Sequence, residues 1–374
     1  MNKIAIAAAV AAVIGGYTTA ASAQTAPAAP AAPAAPSLGA VLAATPGLTV
    51  NGYVASTYDY FDTSSTLLRA YDNGKTNGFR LNQAAVTLSY LPSDGFGAQV
   101  VAITGADAQT LNGNSSRFNL NNAFVQYAKG PLTAMAGKFG SLAGAEVTNP
   151  AGNSTVSRSL LFWDMEPGSV TGLRANYTVS PALTLIAGVN NGWVEPQPAN
   201  TGKTIELGAT GTPSSLFSYM ADYYRGQSPL FGGSPNGVLQ LFDLVGTINA
   251  TSALSFTGNV DILSKDNVPL ASGGTGTGKA NGLALYANYA VTDQWALAAR
   301  GEYIDDKDGM VSGTNGTANK LKELTLAVNY SPVKNVKLAA EIRQDKSDMA
   351  IYTKKDGTPT TKQNSLELLA VYSF

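Results

Sequence analysis

The 374-residue chain contains no cysteine and no histidine, and only 13% of its residues are charged. These absences exclude disulfides, zinc-finger sites and the Ser-His-Asp and Cys-His catalytic centres, because each needs one of the missing side chains. The 24 basic residues do not exceed the 25 acidic ones, so nucleic acid is not an expected partner. We predict no catalytic residue, no cofactor and no metal site.

Long hydrophobic runs are also missing, and the one apolar segment lies at the N-terminus. Residues 1–23 place Lys3 before apolar Ile4–Ile14 and end in Ala21-Ser22-Ala23, the order of a cleaved secretory signal peptide. The apolar core is shorter than the roughly 20 residues of a membrane helix. Residues 24–46 repeat Ala and Pro, which favours an extended periplasmic linker. A plain spacer and a segment that contacts the cell wall share this composition.

From residue 47 onward, apolar and polar residues alternate with a period of two, which predicts β-strands. Leu324, Leu326 and Val328 alternate with Glu323, Thr325 and Asn329, for example. A soluble sandwich would alternate too, but its inner parity would carry bulky apolar residues. Here that parity carries Asn, Thr, Ser and charges, which could not form a dry core. A wet interior and a lipid-facing exterior are therefore predicted.

Short turns recur at roughly 40-residue intervals, enough for two strands of about ten residues and one longer loop. They follow the segments Ser89–Pro92, Gln126–Pro131, Asn176–Ser180, Asn288–Thr292 and Asn329–Val333, with less regular turns at Gly211–Ser214 and Asn249–Ser252. The count predicts an all-β, transmembrane, antiparallel up-and-down barrel of about sixteen strands over residues 47–374. The short turns would be periplasmic. The longer connections, near residues 62–77, 305–319 and 347–362, would be extracellular loops.

The C-terminal run places Leu366, Leu368, Ala370, Tyr372 and Phe374 on one parity, so this strand should face lipid. Its final residues, Tyr372 and Phe374, resemble the aromatic assembly signal of bacterial outer-membrane proteins. The resemblance implies recognition by the barrel-assembly machinery and contact with outer-membrane lipid and lipopolysaccharide.

Charged residues on the predicted lumen parity show a small acidic excess, which favours weak cation selectivity because carboxylate rings attract cations. The predicted lumen wall comprises Lys138, Arg174, Glu206, Asp243, Asp261, Arg300, Glu302, Glu323, Lys337, Glu341, Arg343 and Glu367.

One family resemblance covers nearly the whole predicted barrel. It rests on Gly137–Gly140, Gly144–Glu146, Asn149–Pro150 and Ser157–Trp163, together with Gly188–Trp193 and Asn200–Thr204. These blocks resemble the outer-membrane beta-barrel porins described as OmpL-like. The resemblance implies a passive channel for small hydrophilic solutes in the bacterial outer membrane.

The segment from Gly140 to Gly168 lacks sustained alternation and is long for an ordinary loop. Its place after the fifth predicted strand resembles the inward-folded loop of general porins. We predict a constriction formed by Glu146, Arg158, Asp164 and Glu166, with the acidic groups facing Arg174, Arg300 or Arg343 to give a transverse field. The alternative is an external loop with Phe162 and Trp163 packed on the rim.

The sequence is compatible with three functions. A porin is favoured because a barrel of about sixteen strands leaves an aqueous lumen unless loops fill it. A structural or adhesive barrel that anchors loops or a periplasmic tether is the second. A membrane-embedded enzyme is the third, and the missing histidine and the lack of a distinctive Ser-Lys pair argue against it. A homo-oligomer is compatible with each of them.

Overall fold

Sixteen strands pair in sequence order around a closed antiparallel barrel, as the alternation predicted. The computed structural model describes residues 44–69, 71, 76–193, 202–231 and 237–374. The predicted signal peptide, most of the predicted linker, and residues 200–201 of the family resemblance lie outside these ranges. The first strand, β1, also pairs with the last, so the sheet has no free edge.

The barrel strands have these bounds: β1 Thr49–Phe61, β2 Asn77–Tyr90, β3 Gly95–Thr104, β4 Phe118–Lys129, β5 Leu132–Gly140, β6 Ser169–Ser180, β7 Leu183–Asn190, β8 Thr204–Ser214, β9 Phe217–Gln227, β10 Val238–Asn249, β11 Leu254–Pro269, β12 Thr275–Ala290, β13 Trp295–Asp306, β14 Asn319–Tyr330, β15 Val336–Ser347 and β18 Lys362–Ser373. Between β15 and β18, a small hairpin is formed by β16 Tyr352–Thr353 and β17 Pro359–Thr360.

Between the barrel strands, the described ranges contain helical structure in two connections. Helix α1, Ala106–Asn112, follows β3, and a single 3₁₀ turn, Pro150–Gly152, and helix α2, Leu160–Asp164, lie between β5 and β6. None of the helices in the described ranges is long and apolar enough to cross a bilayer.

Burial along the strands is the reverse of that in a soluble protein. In β14, Leu324 and Leu326 are 58% and 48% exposed, whereas the intervening Thr325 is fully buried. The outward parity therefore forms an apolar belt and the inward parity carries the polar groups, as the sequence predicted.

Short turns and long loops occupy opposite ends of the barrel. Tyr127 packs on Phe96 and Tyr330 stacks on Trp295 near the short-turn end, with ring centroids 4.8 and 4.3 Å apart. One turn differs from its prediction, because β8 continues through Gly211–Ser214 and turns at Ser215–Leu216.

The prediction that Lys138 lines the lumen is wrong. In β5 the inward parity is apolar: Phe139 is buried, and its ring meets the ring of Phe124 at a centroid distance of 6.3 Å. Lys138 pairs instead with Ala123 and Thr171 on the outward parity. Lys138 was predicted to line the lumen because it is charged. The apolar residues of β5 determine which parity faces inward.

The prediction of a wet interior also holds for only part of the barrel. Near the long-loop end, inward residues of β10 to β14 form an apolar cluster with α2. Its wall members include Leu239, Leu241, Leu263, Ile304 and Leu321. This patch gives the connection between β5 and β6 an apolar surface to pack against.

Candidate pore constriction

The connection between β5 and β6, residues 141–168, folds into the barrel and is called the inward loop below. Its backbone N–H groups at Leu142, Gly144 and Ala145 donate to side chains of β9, β10 and β11: the Tyr224 hydroxyl at 2.8 Å, Asp243 at 3.1 Å and Asn259 at 3.1 Å. Farther along, its carbonyls accept from wall residues of β14 and β15, including Asn329 and Lys337. The loop is therefore attached to the lumen wall from β9 to β15, and to β2 through Gln83, which donates to the carbonyl of Thr148 at 3.1 Å. The alternative of an external loop is excluded.

Two wall arginines form the densest attachment, called the arginine cluster below. Arg300 Nη1 lies 2.7 Å from Glu146 Oε1 of the loop, and Arg300 Nε lies 3.2 Å from Glu323 Oε2. Arg343 Nη2 lies 2.7 Å from Asp345 Oδ1, and Arg343 Nη1 donates to the carbonyl of Arg158 at 2.6 Å. All of these side chains are almost completely buried, where a charge needs both an ion pair and hydrogen bonds to be tolerated.

Two further carboxylates of the arginine cluster accept from the loop backbone. Glu341 accepts from Val156 N and Ser157 N at 2.5 and 3.2 Å. Glu302 accepts from Leu160 N at 2.9 Å and Leu161 N at 3.3 Å. These last two donors are N–H groups of the first turn of α2, which have no partner inside the helix. The arginine cluster thus comprises Arg300, Arg343, Glu146, Glu302, Glu323, Glu341 and Asp345.

Helix α2 also packs on the apolar wall. Ser159 caps the helix by accepting from Phe162 N at 3.0 Å, so the helix begins at Leu160. Leu161 and Met165 then lie over Gly282 of β12, where an added Cβ would come within 3.0 Å of Leu161 and 2.8 Å of Met165. A larger residue at position 282 would push the helix off the wall.

Three separate cavities lie along the inward loop. At the short-turn mouth a cavity of about 390 Å³ is bounded by wall residues that include Asn288, Asn329 and Lys337. A cavity of about 180 Å³ lies beside Glu146 and Asn153 of the loop. The smallest, called the narrowest cavity below, lies between the loop and strands β1, β2 and β18 and measures about 20 Å³, room for about one water molecule.

The narrowest cavity is lined by opposite charges. Arg158 of the loop, Arg80 of β2, Asp59 of β1, Asp107 of α1 and Glu367 of β18 all contribute to it. The inward loop itself holds the Arg158 side chain in place, because its guanidinium donates to the carbonyls of residues 147, 148 and 156 at 2.9 to 3.0 Å.

Tyr71 also lines this cavity. The ring of Tyr71 lies 5.5 Å from the Arg158 guanidinium carbon. Burial raises the pKa of Asp107 to about 6, although Gln83 donates to this carboxylate at 2.8 Å.

A second attachment contains carboxylates only and is called the acidic cluster below. Asp222, Asp243 and Asp261 lie side by side on β9, β10 and β11, and Glu166 of the inward loop reaches them. Both oxygens of Glu166, of Asp222 and of Asp261 are buried and have no hydrogen-bond partner in the described ranges. Burial, followed by the charges of Asp243 and Glu146, raises the pKa of Glu166 well above its usual value.

The predicted constriction residues therefore separate into different environments. Arg158 lines the narrowest cavity and Glu146 lines the next one, where it pairs with Arg300 as expected. Asp164 is half-buried, and burial raises its pKa to about 8 despite the opposing charge of Arg343. Glu166 faces other carboxylates rather than arginine. Arg174 pairs with Glu206 at 2.6 Å and donates to the carbonyl of Gly140.

The other predicted wall residues point into the barrel, and their role in permeation stays a prediction. Apart from Lys138, each predicted wall residue lies on the inward parity and contacts the inward loop, another loop or another wall charge. These residues are Arg174, Glu206, Asp243, Asp261, Arg300, Glu302, Glu323, Lys337, Glu341, Arg343 and Glu367.

Sequence reasoning missed several residues of the site. Asp345 shares the inward parity of Arg343, and Asp222 alternates with Ala221 and Tyr223, so parity could have found both. Arg69 was not predictable in this way, because it lies in the loop after β1 and reaches Asp345 and Glu367 only through the fold.

A closed antiparallel barrel of sixteen strands, with an apolar outer belt and a loop folded into its lumen, defines the class of outer-membrane porins. Solved structures agree on the fold. The outer membrane channel DcaP of Acinetobacter baumannii is 15% identical with a TM-score of 0.61, covering 87% of this chain and 97% of that one. The chain belongs to the family "Putative beta-barrel porin-2, OmpL-like", whose model matches residues 47–374.

Two further porins show the same fold. OmpT of Vibrio cholerae, in its in-vitro folded trimer form, is 13% identical with a TM-score of 0.61, covering 87% of this chain and 99% of that one. An anion-selective porin from Comamonas acidovorans is 12% identical with a TM-score of 0.58, with the same coverage. A search of curated proteins gives no significant match. The chain is thus an outer-membrane porin, a passive channel for solutes.

Proposed function

We propose that small hydrophilic solutes and ions diffuse through a lumen whose width is set by the inward loop. The observation that carries this proposal is that wall residues of β9 to β15 hold the inward loop inside the barrel. The narrowest cavity holds Arg158 and Arg80 together with Asp59, Asp107 and Glu367. Opposite charges across such a narrow passage orient polar solutes and exclude apolar ones.

The pore should prefer cations weakly. Among the buried charged residues in the described ranges, acidic side chains outnumber basic ones two to one. Many of these carboxylates are paired with arginine, so much of their field is cancelled before it reaches a passing ion.

Single-channel recording in planar bilayers tests both parts of this proposal. We expect discrete conductance steps and a reversal potential of small cationic sign in a salt gradient. Arg158→Gln should strengthen the cation preference because it removes a positive charge from the narrowest cavity. Arg158→Lys keeps the charge, and Lys320→Gln removes an exposed charge on the outward parity, so both should leave the selectivity unchanged. Silence of the folded barrel, or strong anion selectivity, would contradict the proposal.

Export and assembly complete the proposal. Residues 1–23 are removed as a signal peptide, and residues 24–46 serve as a periplasmic spacer. Phe374 and Tyr372 are read by the barrel-assembly machinery, and the outer belt contacts lipopolysaccharide. In support of the assembly role, the backbone of Phe374 bonds Gly52 of β1 in both directions at 2.9 Å and so closes the barrel.

The proposal extends to the oligomeric state and to enzymatic activity. A homo-oligomer is supported by the trimer form of OmpT. We also propose that the chain has no enzymatic activity, since its family consists of porins and it lacks the histidine and cysteine that most hydrolytic centres use.

A further inference from the structure

The acidic cluster has a charge imbalance that nothing in the pore proposal explains. No lysine or arginine in the described ranges forms an ion pair with Glu166, Asp222, Asp243 or Asp261. All four side chains are more than nine-tenths buried. Buried charges are normally paired or bound to a metal ion, because an isolated buried carboxylate is strongly unfavourable.

Two donors fix the position of Asp243 in the cluster. Asp243 accepts from Gly144 N at 3.1 Å with one oxygen and from Asn259 Nδ2 at 2.5 Å with the other. Its carboxyl group is therefore held in place beside Glu166 and Asp261.

The spacing of the carboxylates suits a cation. One oxygen each from Glu166, Asp243 and Asp261 lies within 4.8 Å of the others. A point equidistant from three atoms at that spacing is about 2.8 Å from each, close to the roughly 2.3 to 2.6 Å of calcium–oxygen bonds. Both oxygens of Glu166 and of Asp261 are free to turn towards such a point, since neither accepts a hydrogen bond.

The backbone of the inward loop is shaped around the same point. Gly144 has a left-handed backbone conformation with φ +91°, and an added Cβ would collide with the Glu166 carboxylate. Only glycine therefore brings the loop backbone close enough for Gly144 N to reach Asp243 while Glu166 stays beside it.

We propose that Glu166, Asp243 and Asp261, with Asp222 beside them, bind one calcium ion that fastens the inward loop to the lumen wall. Glu166, Asp243 and Asp261 offer six oxygens, the lower end of the six to eight ligands that calcium takes. Magnesium prefers shorter bonds and retains several waters, for which this buried position leaves little space. The sequence predicted no metal site, because the three ligands come from separate segments of the chain.

The test measures calcium binding by the full barrel chain refolded in detergent without lipopolysaccharide, since lipopolysaccharide itself binds divalent ions. Equilibrium dialysis against radioactive calcium should give about one ion per chain. Glu166→Gln and Asp261→Asn should each weaken binding by about tenfold or more, because each removes a charged ligand. Asp293→Asn, which neutralises an exposed carboxylate in the turn between β12 and β13, should bind like the wild type.

Thermal unfolding provides a second readout that does not depend on channel activity. Calcium should raise the unfolding temperature of the wild type above its value in EDTA, and it should not do so for Glu166→Gln or Asp261→Asn. In EDTA both variants should be at least as stable as the wild type, because an amide removes an uncompensated charge.

Three results would overturn the proposal: no calcium binding by a folded wild-type barrel, equal binding by the Glu166→Gln/Asp261→Asn double variant, or equal competition by magnesium chloride. Each of these leaves the porin proposal standing, because conductance is measured separately. If one single variant fails to fold, the other still decides the matter, since one ligand lies in the loop and the other in the wall.

Discussion

The arginine cluster and the acidic cluster attach the same loop to the same wall with different chemistry. In the arginine cluster each carboxylate has a guanidinium or backbone N–H partner, as in the contacts of Glu146 with Arg300 and of Glu341 with Val156. In the acidic cluster, Glu166, Asp222 and Asp261 have no hydrogen-bond partner in the described ranges. Removing a charge should therefore destabilise the attachment at the arginine cluster. At the acidic cluster, without a bound cation, it should stabilise the attachment.

The largest effect is expected at Arg300, the centre of the arginine cluster. Arg300→Met should lower the free energy of unfolding by about 3 to 5 kcal/mol, because Glu146, Glu302 and Glu323 would remain buried without their main partner. Denaturant unfolding in detergent measures the loss. Lys322→Met, at an exposed outward position of β14, is the control. A loss for Arg300→Met no larger than for Lys322→Met would show that the arginine cluster does not hold the loop.

Asp107 differs from both clusters in its hydrogen-bond partner. It has a donor, unlike Glu166, but this donor is the uncharged amide of Gln83 rather than a guanidinium. Its folded pKa of about 6 lies above the usual value of 3.8. The folded state therefore binds the proton more tightly than the unfolded state. The contribution of protonated Asp107 to the free energy of unfolding is fully present below about pH 4. It is lost as the pH rises through 6, and the loss is at most about 3 kcal/mol.

Asp107→Asn isolates this contribution. The difference in unfolding free energy between the wild type and Asp107→Asn should change between pH 4 and pH 7.5, in favour of the variant at the higher pH. Cation selectivity of the wild type should also weaken below pH 6, because Asp107 lines the narrowest cavity beside Arg80 and Arg158. A difference that does not vary with pH would remove Asp107 from this account.

The smallest effect is expected at Asp222, the member of the acidic cluster that lies on β9 beside Asp243. Asp222→Asn should raise the free energy of unfolding in EDTA by about 1 kcal/mol, because it removes a buried carboxylate without a partner. The sign is opposite to that for Arg300→Met, which makes the pair a direct test of the comparison. Destabilisation of the folded barrel by Asp222→Asn in EDTA would show that its charge is compensated.

The sequence was sufficient for the architecture of the barrel. Alternation and recurring short turns predicted sixteen strands and their order, because one buried and one lipid-facing parity leave a strong period of two. It also predicted that the acidic groups of the loop would face Arg174, Arg300 or Arg343, and Glu146 does pair with Arg300.

The sequence was insufficient where tertiary packing decides. Lys138 was placed inward because it is charged, but Phe139 takes the inward parity of β5. Glu166 was expected to face arginine, and only the path of the inward loop brings it to Asp243 and Asp261. Side-chain partners across a lumen depend on how loops fold back, which local periodicity does not encode.

Whether the inward loop sets the width of the pore is decided by excising residues 145–153 while keeping β5 and β6. The segment carries Glu146 and the carbonyls that fix Arg158, so its removal should raise single-channel conductance and admit larger sugars in liposome swelling. Excising residues 355–357, at the exposed tip of the β16–β17 hairpin, should change neither. An excised barrel that inserts normally and conducts like the parent would contradict the claim.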